Sequence, residues 1–180
     1  SGHKAYLCSQ QAAPAIQHRI PKARIQPIEF GTHIVENGVR FSFHPAGHIL
    51  GSAQIRVEYK GEVWVVSGDY KLEDGGISGA FEPFPCGHVI TESTLRWPGY
   101  DWEDQASVYQ QIQAWWRSNA AQGRTSVICA YSLGKAQRLL HGISDGPGIF
   151  LTHGAVEALN EVYRQQGISL PESISAAQIK

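Results

Sequence analysis

The chain is short of several things. It has no methionine in 180 residues, not even at position 1, which points to a cleaved terminus at Ser1-Gly2 or to a piece of a longer protein. It has three cysteines, Cys8, Cys86 and Cys129, far apart and without a CxxC pair. That spacing excludes a thiolate zinc site and a disulfide framework and leaves buried, reduced thiols in a cytoplasmic protein as the expectation. No apolar stretch approaches the ~20 residues that span a bilayer, and no apolar h-region follows Ser1-Gly2-His3-Lys4. Charge of one sign is lacking too: 15 Lys and Arg against 16 Asp and Glu give a net charge of −1. Any phosphate-binding surface must therefore be local.

What is present is enough for a core. Hydrophobic residues make up 42% of the chain and charged residues 17%, which suits one domain or two small ones. The first half reads as strands and turns. Ala5–Cys8 is a short strand, Gln10–Arg19 a short helix, and Arg24–Phe30 an edge strand tolerant of Pro27. Thr32–Val35 and Val39–Phe43 flank Asn37-Gly38, a type I′ hairpin signal. Gln54–Tyr59 and Glu62–Ser67 flank Lys60-Gly61 in a second hairpin. Lys71–Pro85 is a loop, and His88–Glu92 a short strand. The second half alternates: a helix over Asp104–Gln122, a fully apolar strand Ser126–Tyr131, a helix Gly134–Ile143, a strand Gly148–Leu151, and a helix Ala155–Gln166. Such alternation predicts a parallel α/β layer. The composition changes near Thr94–Asp104, the expected domain boundary. The tail from Pro171 to Lys180 is weakly patterned and expected to fray.

The chemistry concentrates between His44 and Asp69. His48 sits in a loop flanked by Gly47 and Gly51-Ser52, and Gly68-Asp69 ends the second run of the hairpin that follows. A hairpin returns its two ends to one sheet edge, so His48 and Asp69 are expected side by side, a plausible half of a metal site. Glu92 closes the next strand and is expected at the same edge. Each residue alone has a bland reading: a loop histidine bonded to backbone, a turn aspartate, a loop-capping glutamate. His44 alternates with Phe41 and Phe43 and reads as packed rather than ligating. His153 reads as a helix-entry residue, and Trp115-Trp116 as core. Tyr131-Ser132-Leu133-Gly134-Lys135 is a strand-to-helix turn whose amides, with Lys135, suit a phosphate, although it lacks the full GxxxxGK[ST] pattern.

In this order, the motifs resemble those of metallo-β-lactamase-fold nucleases of the β-CASP group, and within it the bacterial ligase-associated DNA exonucleases. Pro45-Ala46-Gly47-His48-Ile49-Leu50-Gly51-Ser52 is similar to the third metal motif, Ser67-Gly68-Asp69-Tyr70 to the fourth, and Thr91-Glu92-Ser93-Thr94 to the acidic motif that opens the β-CASP region. Tyr131–Gln137 resembles a strand-to-helix segment within that region. The likeness runs from about Lys4 to Pro171. It implies a partial metallo-β-lactamase αββα sandwich over residues 1–95 and part of a β-CASP α/β domain over 96–180. It implies His48 and Asp69 as metal ligands, with Asp69 bridging two metals, and Asp69 and Glu92 as catalytic residues. Zinc is the implied metal, with manganese as an alternative, and the implied reaction is attack of metal-activated water on a phosphodiester. Implied partners are single- or double-stranded DNA and the ligase and helicase of a repair pathway.

The family's HxHxDH motif occurs nowhere in the chain, and neither do its later histidine motifs; His153 matches none of them. The sequence thus reads as an internal segment, inactive by itself, with self-association or a partner chain expected to cover its open edges. Two other readings stay open: a non-catalytic β-CASP-like binding or scaffold protein, and a metallo-hydrolase acting on RNA.

Overall fold

The computed structural model describes residues 3–94 and 102–179. The chain divides into two compact units, Ser1–Thr94 and Leu95–Lys180.

The first unit begins with β1 (Tyr6–Ser9), α1 (Ala13–Arg19) and β2 (Ile25–Ile28). The two strands pair in parallel, Tyr6 opposite Ile25, with α1 as the crossover. The helix starts three residues later than its composition suggests, because Pro14 fits only its first turn.

A five-stranded sheet follows: β3 (Ile34–Glu36), β4 (Val39–Pro45), β5 (Ala53–Tyr59), β6 (Glu62–Val66) and β7 (His88–Ile90), in spatial order of sequence. All pairs are antiparallel except β6 with β7. Both expected hairpins form. Asn37 and Gly38 take φ of 51° and 79°, and Lys60 and Gly61 take 49° and 85°, the left-handed pairs of a turn that matches strand twist. The register places Phe41, Val57, Trp64 and His88 in one row across one face, with Phe43, Ile55, Val66 and Ile90 in the next. Trp64 and His88 stack with ring centroids 4.1 Å apart. The other face carries Ser42, Gln54 and Val65, all buried. β7 ends at Ile90, so Glu92 lies past the strand rather than closing it.

The second unit holds α2 (Gln105–Ala121), α3 (Lys135–Gly142), β8 (Phe150–Thr152), α4 (Gly154–Gln165) and β9 (Ser173–Ser175), with a 3-10 turn over Ala176–Gln178. Its core is Ala136, Leu140, Ile143, Leu159, Val162 and Tyr163. Gln137 and Asn160, both fully buried, meet in a 2.8 Å hydrogen bond between α3 and α4. Trp116 packs edge-on against Phe150, whereas Trp115 is exposed, so only one of the tryptophan pair faces the interior.

Three expectations fail here. Ser126–Tyr131 forms no strand: among the described residues it has no ladder partner, and Val127, Ile128 and Tyr131 are exposed. An apolar run marks a buried strand only if neighbouring strands take up its backbone groups. The tail, by contrast, does not fray. β9 pairs in parallel with β8, and the Ser173 hydroxyl joins a charged network described below. Of the cysteines, only Cys8 is buried, and burial pushes its thiol pKa up; Cys86 and Cys129 are exposed.

Candidate functional site

The loop carrying His48 joins β4 to β5 and is built by its serine and glycines. The Ser52 hydroxyl accepts from the backbone N–H groups of His48 (3.0 Å) and Ile49 (3.1 Å). The Ala46 N–H donates to Ser52 O at 3.0 Å, which closes the loop. Two of its glycines cannot be replaced freely. Gly47 (φ 72°) has the Lys71 carbonyl where a Cβ would stand, and Gly51 (φ 78°) has the backbone of Gln11 and Ala12 there. The Ser9 hydroxyl, at the end of β1, donates to Gly51 O at 2.6 Å. The end of the crossover unit is thereby fixed to the back of the His48 loop.

The segment after β6 folds back over the same region. The Lys71 N–H donates to Ala46 O (2.9 Å) and the Glu82 N–H to Pro45 O (3.2 Å). Gln54, buried beneath, donates through Nε2 to both Pro45 O (3.0 Å) and Glu82 O (2.8 Å). His44 bridges the two layers: its Nε2 lies 2.9 Å from Ser42 Oγ and its Nδ1 3.1 Å from Glu82 Oε1, with Phe84 packed against the ring. His44 is thus a packed, tethering residue. Nothing in the sequence around Glu82 signals this tether.

Of the three candidate site residues, two meet directly. His48 Nε2 and Asp69 Oδ2 are 3.8 Å apart across the ends of the β5–β6 hairpin. The His48 side chain is 37% exposed and that of Asp69 74%, so the pair opens to solvent. Glu92 accepts from the Thr94 N–H at 2.7 Å in a local turn. That bond, then the Thr94 hydroxyl, holds its carboxyl below the ordinary value against a smaller opposing effect of desolvation, and the nearby His48 adds to the lowering. Glu92 is therefore in electrostatic range of His48 without completing a triad. Among the described residues, no three His, Cys, Asp or Glu side chains gather closely enough to hold a metal.

The donor pair fits one side of a metal centre. With zinc–nitrogen and zinc–oxygen bonds of about 2.0–2.2 Å at a tetrahedral angle, two donors on one ion lie about 3.4 Å apart, so the 3.8 Å pair needs only a small side-chain adjustment to share one. A firm site takes three or four protein ligands, so two donors such as these would be only a part of one.

His153 caps α4, its Nδ1 accepting from the Ala155 N–H at 3.2 Å, as its place before a helix predicts. The Tyr131–Lys135 turn is less suited to phosphate than its composition suggests. The Gly134 N–H donates to Gln137 Oε1 (2.7 Å), and the Lys135 and Ala136 N–H groups donate to Leu133 O and Tyr131 O (each 3.1 Å). The Lys135 ammonium lies 4.9 Å from the Tyr131 ring centroid, beside an open cleft of about 360 Å³.

The charged cluster that sequence reasoning missed centres on Glu157. One carboxylate oxygen accepts from Thr152 Oγ1 (2.6 Å), Ser173 Oγ (2.6 Å) and Asn160 Nδ2 (3.1 Å), and the other from Arg164 Nη1 (2.7 Å). Burial pushes the Glu157 pKa up, but these four donors prevail and hold it at about 2. The spacing of Glu157, Asn160 and Arg164 along one helical face was the available signal. The cluster joins β8, α4 and β9 through these hydrogen bonds, a structural role.

No protein-family model matches the chain. Its curated relatives include a "Probable DNA ligase" of Opitutus terrae, 34% identical over 176 residues, covering 94% of this chain and 17% of that protein. They also include "Endoribonuclease YSH1" of Eremothecium gossypii, 29% identical over 119 residues, covering 65% and 15%. A third is "Cleavage and polyadenylation specificity factor subunit 3-I" of Arabidopsis thaliana, 32% identical over 123 residues, covering 65% and 17%. The chain thus spans about a sixth of the length of these relatives. Among solved structures, a "Protein of Unknown Function" from Enterococcus faecalis V583 matches at a TM-score of 0.64 and 11% identity, covering 98% of this chain and 48% of that one; this likeness speaks to fold alone. No helix among the described residues is long and apolar enough to cross a membrane.

Proposed function

The chain belongs to the β-CASP group of metallo-β-lactamase-fold proteins, and on that premise we propose that it is a segment of a zinc-dependent phosphodiesterase that acts on DNA in repair. The observation that carries the proposal is the pairing of His48 and Asp69 at 3.8 Å, at the open end of the β5–β6 hairpin, with the His48 loop that precedes it pinned from two sides. In this reading, residues 1–95 are part of a metallo-β-lactamase-like domain and 96–180 part of a β-CASP-like domain. His48 and Asp69 would be metal ligands, with Asp69 shared between two metals. When bound, zinc or manganese supplies Lewis-acid activation of water toward a phosphodiester. Glu92, held by Thr94, adds negative charge within electrostatic range of His48.

The DNA ligase named among the relatives supports a place beside DNA ligation, with a ligase and a helicase as candidate partners in the cytoplasm. The endoribonucleases among them favour a second reading, in which the strand cleaved is RNA. Because the described residues supply two metal donors, the 180-residue chain by itself is expected to hydrolyse little. Incubation with matched single-stranded DNA and RNA, with zinc or manganese added, tests this. Retention of DNA without cleavage is expected. Robust cleavage lost in His48→Ala would overturn the inactive-segment reading, and cleavage of RNA alone would overturn the DNA assignment.

A further inference from the structure

The first 28 residues hold four Lys and Arg (Lys4, Arg19, Lys22 and Arg24) and two histidines, but none of the chain's 16 Asp and Glu. The fold collects these charges at one place. Because β1 and β2 run parallel and α1 returns between them, the starts of both strands and the end of the helix share one end of the unit. Lys4 leads into β1, His18 and Arg19 form the last turn of α1, Lys22 follows it, and Arg24 leads into β2. The Tyr6 N–H donates to Arg24 O at 2.9 Å, which fixes the two strand starts against each other. Lys4, His18, Arg19, Lys22 and Arg24 are all exposed.

No ion pair among the described residues engages any of the four Lys and Arg. The first acidic residue, Glu29, comes only after the far end of β2. A cation in the last turn offsets the negative end of the helix dipole, which accounts for Arg19 but not for Lys4, Lys22 or Arg24. In a chain of net charge −1, a cationic end without a carboxylate is a local anion surface. It also has a defined relation to the His48 loop. The opposite end of the same unit, about 13 Å away along a four-residue strand, is where Ser9 holds Gly51.

We infer that this end of the β1–α1–β2 unit is a contact surface for the sugar-phosphate backbone of a nucleic-acid strand, separate from the His48–Asp69 pair. The inference rests on nucleic acid being the partner, and it adds where the strand is held. Four cations with no ion pair among the described residues, at the junction of two strand starts and a helix end, suit several consecutive phosphates. Such contacts are sequence-independent and depend steeply on salt.

The test uses the full chain and fluorescein-labelled single-stranded DNA and RNA of matching sequence, with anisotropy followed across a salt series. The variant is Arg19→Glu/Lys22→Glu/Arg24→Glu, and the control is Arg117→Glu/Arg124→Glu, exposed cations of the other unit. Circular dichroism establishes that both remain folded. The triple variant should bind about tenfold or more weaker at low salt, and its salt slope should fall by about two, as expected for three lost contacts to a single strand. The control should bind like the unmodified chain. Loss on both DNA and RNA, or on DNA alone, supports the surface. Unchanged binding and slope in the triple variant would overturn the surface while leaving nucleic acid as partner intact. Failure of the unmodified chain to bind either strand would overturn both, as would its binding only to phosphatidylserine vesicles.

Discussion

Ser9 and Gly51, 42 positions apart, are joined by a 2.6 Å hydrogen bond from hydroxyl to carbonyl, and Gly51 rests against the backbone of Ala12. This contact ties the β1–α1–β2 unit to the loop that carries His48. Gly51→Ala should therefore destabilise the first unit by at least about 2 kcal/mol, since φ of 78° and the occupied Cβ space both oppose it. Ser9→Ala, which strands a buried acceptor, should remove about 1–2 kcal/mol. Urea denaturation checks both. A Gly51→Ala protein as stable as the parent would mean the loop is not held this way.

Gln54 makes the equivalent tie on the other side of the loop. Its amide serves two carbonyls, Pro45 O and Glu82 O, and it is 3% exposed. Gln54→Leu should cost about 1–3 kcal/mol through the stranded acceptors. Limited proteolysis should then cut within residues 71–87 faster than in the parent, because that segment loses its inner anchor.

Glu157 sets an acid limit on the second unit. Its folded pKa of about 2 lies below the ordinary 4.5, so the carboxylate stabilises the folded state fully above pH 4.5. That contribution fades as pH falls toward 2. With its side chain 22% exposed, the shift corresponds to about 2–3 kcal/mol after allowance for screening. Glu157→Gln should lower stability at pH 7 and flatten its dependence between pH 4.5 and 2. Denaturation curves across that range read the difference.

Much of the first unit was legible because its signals are local. Asn37-Gly38 and Lys60-Gly61 between alternating runs dictate hairpins, and a hairpin dictates that His48 and Asp69 meet. Glu92 was less legible: β7 stops at Ile90, and the glutamate's partner is Thr94 in its own turn. What escaped sequence reasoning depends on distant partners. Ser126–Tyr131 has the apolar run of a buried strand but no ladder neighbour among the described residues. Ser173–Ser175 has no pattern at all, yet pairs with β8 because Glu157 and Arg164 hold Ser173 in place. The link from His44 to Glu82 crosses 38 positions, and no spacing rule anticipates it.

The central claim is that His48 and Asp69 act together as metal donors, and a zinc titration followed by the histidine imidazole resonances of the full chain tests it most directly. His48 should respond ahead of the other seven histidines, and Asp69→Asn should weaken that response about tenfold or more, as for loss of one ligand of an already incomplete set. A His48 resonance that ignores zinc, or one that responds equally well in Asp69→Asn, would contradict it.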